Sequence, residues 1–382
     1  MDAAKPSLDL LRSLTDEHVL RALMEYRRMT RAELATRTGI SKPTISESVR
    51  RLEAAGLVVD TGERTTGRGR VGSYFGLAPD LGCAMVLSVA PEGVVAETID
   101  AHGDVAARAT EHVARPAPPA EVERAIRAAI RGAQPDRARR TRIAVVSAAD
   151  PVDRASGRLV HLPDAPFLLG ELSPVDLLAD VVDGPVLVDN DVNWAARAER
   201  AAAVELPLDD FAYLYLGEGL GCAVVTDGEV RRGHTGLVGE IAHVLTFGPD
   251  GTAIPFTEVF QALGLRRPGS TAIDVDALRT KIGAPEGASA LRALTRAICG
   301  VLTATVALAD PELVIVGGTW GLDPALLDAL IGELRQHPRP VPVRAPRVTD
   351  HPSLAGARDQ ALHQLRNTIT DAPRPRTPQR QT

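Results

Sequence analysis

The chain has 382 residues, which is long enough for two or three domains. Its net charge is −6, and its three cysteines lie far apart in apolar surroundings, where we expect buried free thiols. These features argue against a disulfide-stapled secreted fold and against a cysteine-ligated metal site. The sequence has no signal-peptide core and no apolar run that we interpret as a membrane span, so we expect a cytoplasmic protein without a membrane partner.

Charge is distributed unevenly along the chain. Residues 1–80 carry 13 lysines and arginines against 11 acidic residues, whereas the remainder carries 30 against 38. A mildly basic segment joined to an acidic body indicates nucleic-acid contact at the N-terminal end. Double-stranded DNA is therefore the expected partner of this segment.

The first domain, residues 1–79, has the pattern of a winged helix-turn-helix. A helix predicted around Asp16 to Arg27 precedes a second helix capped by Thr30, and Gly39 provides the sharp turn that follows. Ser41 caps a third helix with apolar residues spaced by four and three on one face. Its opposite face is polar and then cationic, which suits a helix that enters the DNA major groove. The candidate DNA contacts on this face are Lys42, Pro43, Thr44, Ser46, Arg50 and Arg51.

The segment after this helix, DTGERTTGRGRVGSYFGLAPD, predicts a β-hairpin with a basic tip. Gly67 and Gly69 allow a tight turn, and Arg68 and Arg70 project from it toward a narrow minor groove or its phosphates. The alternative interpretation is a solvated charged loop on a helical scaffold that binds protein.

From residue 80 the pattern changes to strands, hairpins and crossover helices. Turns are predicted at Pro91–Gly93 and at His102–Gly103, and the same strand-turn-strand design returns at Glu218–Gly219. We predict an α/β domain over residues 80–370 with two lobes, approximately 80–190 plus the C-terminal helix, and 191–350. Residues 371–382 are Pro-rich and charged and are predicted to be disordered.

Several motifs of this second domain carry a resemblance to a known family. They are DNDVNWAARAE, LGEGLGCAVVTDGEVRRGHTGLVGEIAH, ADPELVIVGG and SLAGARDQAL. Together they resemble the ROK family of bacterial sugar-responsive repressors and sugar kinases. The resemblance covers nearly the whole chain, and it implies an actin-like or sugar-kinase-like fold.

The resemblance also implies a sugar-binding site. Its sugar contacts map onto Asn190, Asp191, Glu240, His243 and Glu258, with Glu240 and His243 one turn apart on a helix. The alternative is structural: Asp191 would cap the following helix, and Glu240 would pair with an arginine. Trp194 is expected in the core rather than as a platform for a sugar.

The sequence departs from the family pattern around this pocket. The three cysteines of the family's zinc loop are missing, so no metal is expected. Ala149-Asp150 replaces the family's Pro-Gly, and Asp164 is a candidate substitute for an asparagine of the rebuilt pocket mouth.

The two phosphate-binding turns of the family also differ here. Ser88 to Glu92 replaces its Asp-x-Gly-Gly-Thr turn, and Gly217-Glu218-Gly219 replaces its Gly-Thr-Gly turn. Proline lacks an N–H, and two unit charges at ~4 Å repel by about 4 kcal/mol at an effective dielectric near 20. We therefore expect no catalytic residues, no nucleotide or other cofactor, and no enzyme activity.

These observations favour a DNA-binding transcriptional regulator, a repressor, that senses a small-molecule sugar effector without phosphorylating it. Winged heads that match two half-sites imply a homodimer or a homotetramer. Two alternatives stay open: an active ATP-dependent sugar kinase with a DNA-binding head, and a ligand-independent DNA-binding protein with a degenerate ROK dimerisation domain.

Overall fold

The computed structural model describes residues 8–66, 71–134, 140–162 and 166–371. Within these ranges a small three-stranded domain precedes two lobes, each built on a five-stranded sheet, as the predicted fold class requires. Three predictions lie outside the described residues: the wing-tip arginines Arg68 and Arg70, the role of Asp164, and the disordered tail beyond residue 371.

The N-terminal domain is a winged helix-turn-helix. Its elements are α1 (Leu8–Tyr26), β1 (Arg28–Thr30), α2 (Arg31–Thr38), α3 (Lys42–Ala54), β2 (Val58–Arg64) and β3 (Ser73–Leu77). Strand β3 lies between β1 and β2 in an antiparallel sheet. Helix α1 begins well before the predicted start at Asp16. The prediction missed the first turns because Leu11 and Leu14 are helical but exposed, so no periodic pattern of buried residues marks them.

The predicted capping residues position the two helices of the DNA-binding motif. Thr30 and Glu33 form a capping box at the start of α2, and Gly39 ends this helix with a φ of 69°. The Ser41 side chain accepts a hydrogen bond from Thr44 N at the start of α3. Local side chains therefore fix the angle between α2 and α3.

The first lobe is a mixed sheet with strand order β6-β5-β4-β7-β8. Its strands β4 and β7 are buried apolar runs that pair in parallel at the centre, as expected for strands covered on both faces. Its elements are β4 (Cys83–Ala90), β5 (Gly93–Ile99), β6 (Val105–Glu111), α4 (Pro119–Gly132), β7 (Thr141–Ala148), α5 (Pro174–Leu178) and β8 (Val186–Asn190).

The second lobe repeats this plan with strand order β11-β10-β9-β14-β15. A separate hairpin, β12–β13, packs beside its long helix α9. The elements after β8 are α6 (Asp191–Ala201), β9 (Phe211–Leu216), β10 (Leu220–Thr226), β11 (Glu229–Val230), β12 (Leu245–Phe247), β13 (Ala253–Pro255), α7 (Phe256–Ala262), α8 (Val275–Gly283), α9 (Ala288–Ala309), β14 (Leu313–Gly317), α10 (Pro324–Arg335), β15 (Val343–Arg344) and α11 (Pro352–Thr370).

Helix α9 is, among the described residues, the one helix that is long and apolar enough to cross a membrane by length and composition. The sequence analysis did not interpret this segment as a membrane span, because Arg292 and Arg296 interrupt the apolar run. Nine of its side chains are buried, and Leu294, Ile298 and Leu302 belong to the core of the second lobe.

Helix α6 is shared by the two lobes. Its Trp194 packs in the core of the first lobe with residues of α11, whereas Val192 and Ala196 pack with Phe211 and Tyr213 of the second lobe. The boundary predicted near residue 190 therefore falls at the start of a helix that belongs to both lobes.

The winged head is docked on the first lobe. One hydrophobic core runs from the head helices through α11 into the sheet of this lobe. Arg27 donates two hydrogen bonds, of 2.6 and 2.7 Å, to the Asp104 carboxylate, and Arg21 Nη2 donates to Asn367 Oδ1 of α11. Head, α11 and first lobe therefore form one packed unit.

The crossing of α11 over α6 depends on a glycine. A Cβ atom added to Gly356 would lie 2.0 Å from Trp194 O, so any larger residue forces the two helices apart. We predict that Gly356→Ala lowers the free energy of unfolding by about 1–3 kcal/mol, as overpacking does. Urea unfolding followed by circular dichroism measures this change.

Gly332→Ala is the matched control, because Gly332 also lies inside a helix but an added Cβ there meets nothing within 4 Å. Its free energy of unfolding should rise by about 0.5–1 kcal/mol, because alanine has a higher helix propensity than glycine. Equal effects of the two substitutions would show that the α6–α11 contact is not close-packed.

Candidate functional site

The cavity between the lobes has a volume of about 310 Å³. It is bordered by the β4–β5 turn, the residues after β7, the N-terminus of α6, the β9–β10 turn and the turns over residues 236–243. Four of the five predicted sugar contacts line this cavity. They are Asn190, Asp191, Glu240 and His243.

The fifth predicted contact, Glu258, is not brought to the cavity. It lies in the first turn of α7, pairs with Arg266 at 3.2 Å, and its side chain is 43% exposed. Its neighbour Thr257 lines the cavity instead. The Glu258 side chain therefore points toward Arg266 and not into the cavity.

The strand end that carries Asp189 and Asn190 is structural. The Asp189 carboxylate is buried and accepts from Arg197 Nη2 at 2.8 Å and from Asn193 Nδ2 at 2.8 Å. Asn190 caps α6, because its Oδ1 accepts from Val192 N while its Nδ2 contacts the carbonyl oxygens of residues 148 and 150. Asn190 therefore positions the cavity wall with both ends of its amide.

Glu240 and His243 do not lie on a helix, which corrects our prediction. Residues 237–243 form two consecutive turns. Gly239 adopts a φ of 97°, and its carbonyl oxygen accepts a hydrogen bond from Cys222 N of β10. The two segments are so close that an added Cβ at Gly239 would lie 1.7 Å from Cys222 O. Contact with β10 therefore overrides helix formation, and the turns still place both side chains at the cavity.

Three carboxyl groups converge on one end of the cavity, here called the sugar end because the predicted sugar contacts lie there. Asp150, Asp191 and Glu240, here called the acidic trio, all line it. Burial raises the pKa of each to about 7, and Asp150 further raises the pKa of Asp191 and of Glu240 by charge repulsion. Such groups hold or release a proton near neutral pH and accept hydrogen bonds from sugar hydroxyls.

The other end of the cavity holds the two altered phosphate turns. Pro91 and Glu92 form the β4–β5 turn, with Glu92 exposed. Glu218, in the β9–β10 turn, accepts from Arg115 of the first lobe at 2.7 Å and from Arg267 of the second at 2.8 Å. The predicted repulsion by a bare Glu218 is therefore wrong, because two guanidinium groups surround it; the turn is instead occupied by an ion cluster that bridges the lobes.

The predicted DNA contacts on α3 differ in their exposure. Lys42, Pro43 and Thr44 are exposed, Ser46 is half-buried, and Arg50 is 73% exposed beside Glu47. Arg51 instead turns inward and donates to the buried carboxylate of Asp16 at 2.6 Å. As DNA contacts these residues stay predictions, and the geometry favours Arg50 over Arg51.

Two further predictions concern buried residues. Trp194 is 3% exposed and its Nε1 donates to Val146 O at 2.9 Å, so it is a core residue, as expected. Cys83, Cys222 and Cys299 are buried free thiols. Within the described ranges, no group of three or more His, Cys, Asp or Glu side chains is arranged to hold a metal ion.

Comparison with known proteins identifies the family. The ROK family profile matches residues 93–253, and a winged helix-turn-helix DNA-binding profile matches residues 12–59. An N-acetylmannosamine kinase from Salmonella arizonae is 31% identical over 216 residues, 53% of this chain and 69% of the kinase. The chain belongs to the ROK family.

Solved structures show the same fold for this ROK protein. A ROK family transcriptional regulator, a homologue of the E. coli MLC protein, aligns with a TM-score of 0.61 and 16% identity over 94% of this chain and 99% of its own. A ROK glucokinase from Streptomyces griseus, in complex with glucose and AMPPNP, aligns with a TM-score of 0.55 and 23% identity over 74% of this chain and 100% of its own. A winged helix-turn-helix joined to a ROK domain is the architecture of a DNA-binding regulator.

Sequence reasoning missed two features of the site of this ROK protein. The first is the Arg115–Glu218–Arg267 cluster, whose members come from separate segments and carry no common motif. The second is the burial of Asp150, which is 2% exposed. The only sequence signal was the replacement of a glycine of the family pattern by a carboxylate.

The raised pKa of Asp150 predicts a pH-dependent stability. Its value in the folded protein, about 7, lies above the ordinary 3.8, so the folded state binds this proton more tightly than the unfolded chain. This stabilisation is complete at low pH and is lost as the pH rises through 7. We predict that Asp150→Asn gains stability relative to the wild type between about pH 5 and about pH 8, measured by thermal unfolding.

Asp153→Asn is the control for this change. Hydrogen bonds from Ser156 lower the pKa of the exposed Asp153, so its contribution is lost only as the pH falls below the ordinary carboxyl range. Its stability difference from the wild type should stay constant between these pH values. A constant difference for Asp150→Asn as well would contradict the burial of an unpaired carboxyl group.

Proposed function

We propose that the protein is a transcriptional repressor whose ROK domain binds a sugar effector without phosphorylating it. The observation that carries this proposal is the contrast between the two ends of the cavity. The sugar end keeps Asp191, Glu240 and His243 on its wall, whereas Arg115 and Arg267 hold Glu218 in one of the two turns that would bind phosphates.

The nucleotide end lacks what phosphoryl transfer needs. Catalysis of this reaction depends on positioning the phosphates and their metal, and backbone N–H groups in tight turns are the usual donors. Pro91 offers no N–H, and Glu92 and Glu218 stand where the family pattern has hydroxyl donors. A triphosphate would also have to displace a carboxylate held by two arginines.

Two observations favour the alternative, an active sugar kinase. The N-acetylmannosamine kinase of Salmonella arizonae shares 31% identity with this chain, and the pKa of Asp191 is raised to about 7, which suits a general base. The same carboxyl group also serves a receptor, because it accepts hydroxyl hydrogen bonds. The two functions differ in turnover, which the experiment below measures.

The fold offers a route from effector to DNA. Asp191 starts α6 at the cavity, α6 packs against α11, and α11 packs against the winged head. Arg154 of the first lobe also donates to Gly233 O of the second, so a ligand between the lobes acts on contacts that set their angle. A coupling of about 1–3 kcal/mol would change DNA affinity by roughly five- to hundredfold.

The proposed DNA contact by Arg50 predicts a measurable salt effect. Arg50→Ala should weaken binding to a duplex selected by the wild-type protein and reduce the slope of log affinity against log salt by about 1, because one phosphate contact is lost. Fluorescence anisotropy over a salt series measures both quantities.

Arg124→Ala, an exposed arginine of α4 in the ROK domain, is the matched control and should leave affinity and slope unchanged. An unaltered slope for Arg50→Ala would remove α3 from the interface.

The proposed effector site predicts stabilisation by a sugar. At a concentration of 100 Kd a bound sugar adds about 2.7 kcal/mol to stability, and a thermal-shift screen over a sugar panel detects it. Glu240→Gln should abolish this shift, since Glu240 lines the cavity. Glu258→Gln should retain it, because this carboxylate pairs with Arg266 outside the cavity wall.

The same sugars with ATP and Mg²⁺ in a coupled assay separate receptor from kinase. We expect no turnover. Phosphorylation that Asp191→Asn abolishes would establish the kinase, whereas absence of any thermal shift across the panel would favour a ligand-independent DNA-binding protein.

A further inference from the structure

The sugar end of the cavity carries a carboxylate beyond those the family pattern accounts for. Asp191 and Glu240 match the sugar contacts implied by the family, but Asp150 stands where that pattern has glycine. Asp150 lines the cavity and is 2% exposed, and its Oδ2 has no hydrogen-bond partner among the described residues. A buried carboxyl oxygen without a hydrogen-bond partner is unusual in a folded protein and calls for an explanation.

The charge of the acidic trio is not balanced by basic side chains. Among the described residues, no arginine or lysine forms an ion pair with any of the three. The ionisable groups that act on the trio are its own members, Glu92 and, at Asp150, His161. Burying carboxylates without a counter-charge is unfavourable, so the cavity favours a positively charged occupant.

The geometry of the cavity does not favour a metal ion as this positively charged occupant. The part of the chain that the structure describes holds no group of three or more potential ligands arranged around a metal position. A cavity of about 310 Å³ instead fits a small organic molecule.

We propose that the effector is an amino sugar or aminocyclitol whose protonated primary amine binds at the Asp150 carboxyl group while its hydroxyls bind Asp191 and Glu240. This inference rests on the proposed function and names the ligand class of the same site. An ammonium group donates up to three hydrogen bonds and carries a positive charge that balances the acidic trio. A hydroxyl group donates one hydrogen bond and carries no charge.

Paired ligands test the inference. Glucosamine, galactosamine and mannosamine are each compared by isothermal titration calorimetry with the neutral parent hexose and with the N-acetylated form, which has lost the charge. At least one amine should bind the wild-type protein about ten- to a hundredfold more tightly than both of its neutral forms, because a charge-assisted hydrogen bond is added.

Asp150→Asn should bring this ratio close to one, because the amide that replaces the carboxyl group carries no charge. Asp153→Asn, an exposed carboxylate satisfied by Ser156, is the control and should keep the wild-type ratio. If Asp150→Asn does not fold, the ratio of amine affinity to neutral-sugar affinity measured on the wild-type protein alone decides whether the amine assignment holds.

Two negative results have different meanings. Neutral sugars that bind as tightly as their amines in all three series would overturn the amine assignment and leave a sugar receptor in place. Failure of every sugar to bind would overturn the proposed effector site itself.

Discussion

The packing of α6 is the constraint on which the rest of this structure depends. The helix begins at Asp191 in the cavity, and its opposite faces lie in two different hydrophobic cores. Its carbonyl at Trp194 is so close to Gly356 of α11 that no side chain fits between them. Because close-packed interiors transmit displacement rather than absorb it, a ligand that moves the start of α6 must also move α11 or one of the lobe interfaces.

The distribution of charge in the cavity supports the proposed sugar receptor. Its sugar end concentrates carboxyl groups without arginines, whereas its nucleotide end holds Glu218 between Arg115 and Arg267. The arginines come from opposite lobes, so the cluster stabilises a closed arrangement without any phosphate. In a kinase the same place must open and close around a nucleotide in each cycle. Here a protein carboxylate, Glu218, lies in one of the two turns that correspond to the family's phosphate-binding turns.

The sequence predicted the head better than the site, and the reason is locality. The two helix caps of the head join residues that are close in sequence: Thr30 with Glu33, and Ser41 with Thr44. Such short-range capping motifs can be recognised from the sequence alone. The turns at Glu240 could not be predicted, because Gly239 is held by Cys222 of a distant strand.

The same limit applies to the charges of the cavity. Arg115 and Glu218 are 103 residues apart, and no periodicity links them. Glu258 has the residue type that the family pattern requires, but its side chain pairs with Arg266 and does not line the cavity. The family resemblance thus predicted the type of residue at this position, but it did not predict where the side chain points.

The docking of the head narrows how an effector can act on DNA. A response that simply released the head would have to break the apolar core it shares with α11 and the first lobe, together with the Arg27–Asp104 pair. Separating such a core exposes apolar surface at a cost of roughly 25 cal/mol per Å². This cost exceeds the 1–3 kcal/mol typical of a coupling between sites once more than about 120 Å² is exposed. Rotation of the whole unit of head, α11 and first lobe about the second lobe leaves that core intact. In an assembly with two heads, such a rotation changes their separation, and a separation that no longer matches two half-sites weakens binding without unfolding any part of the protein.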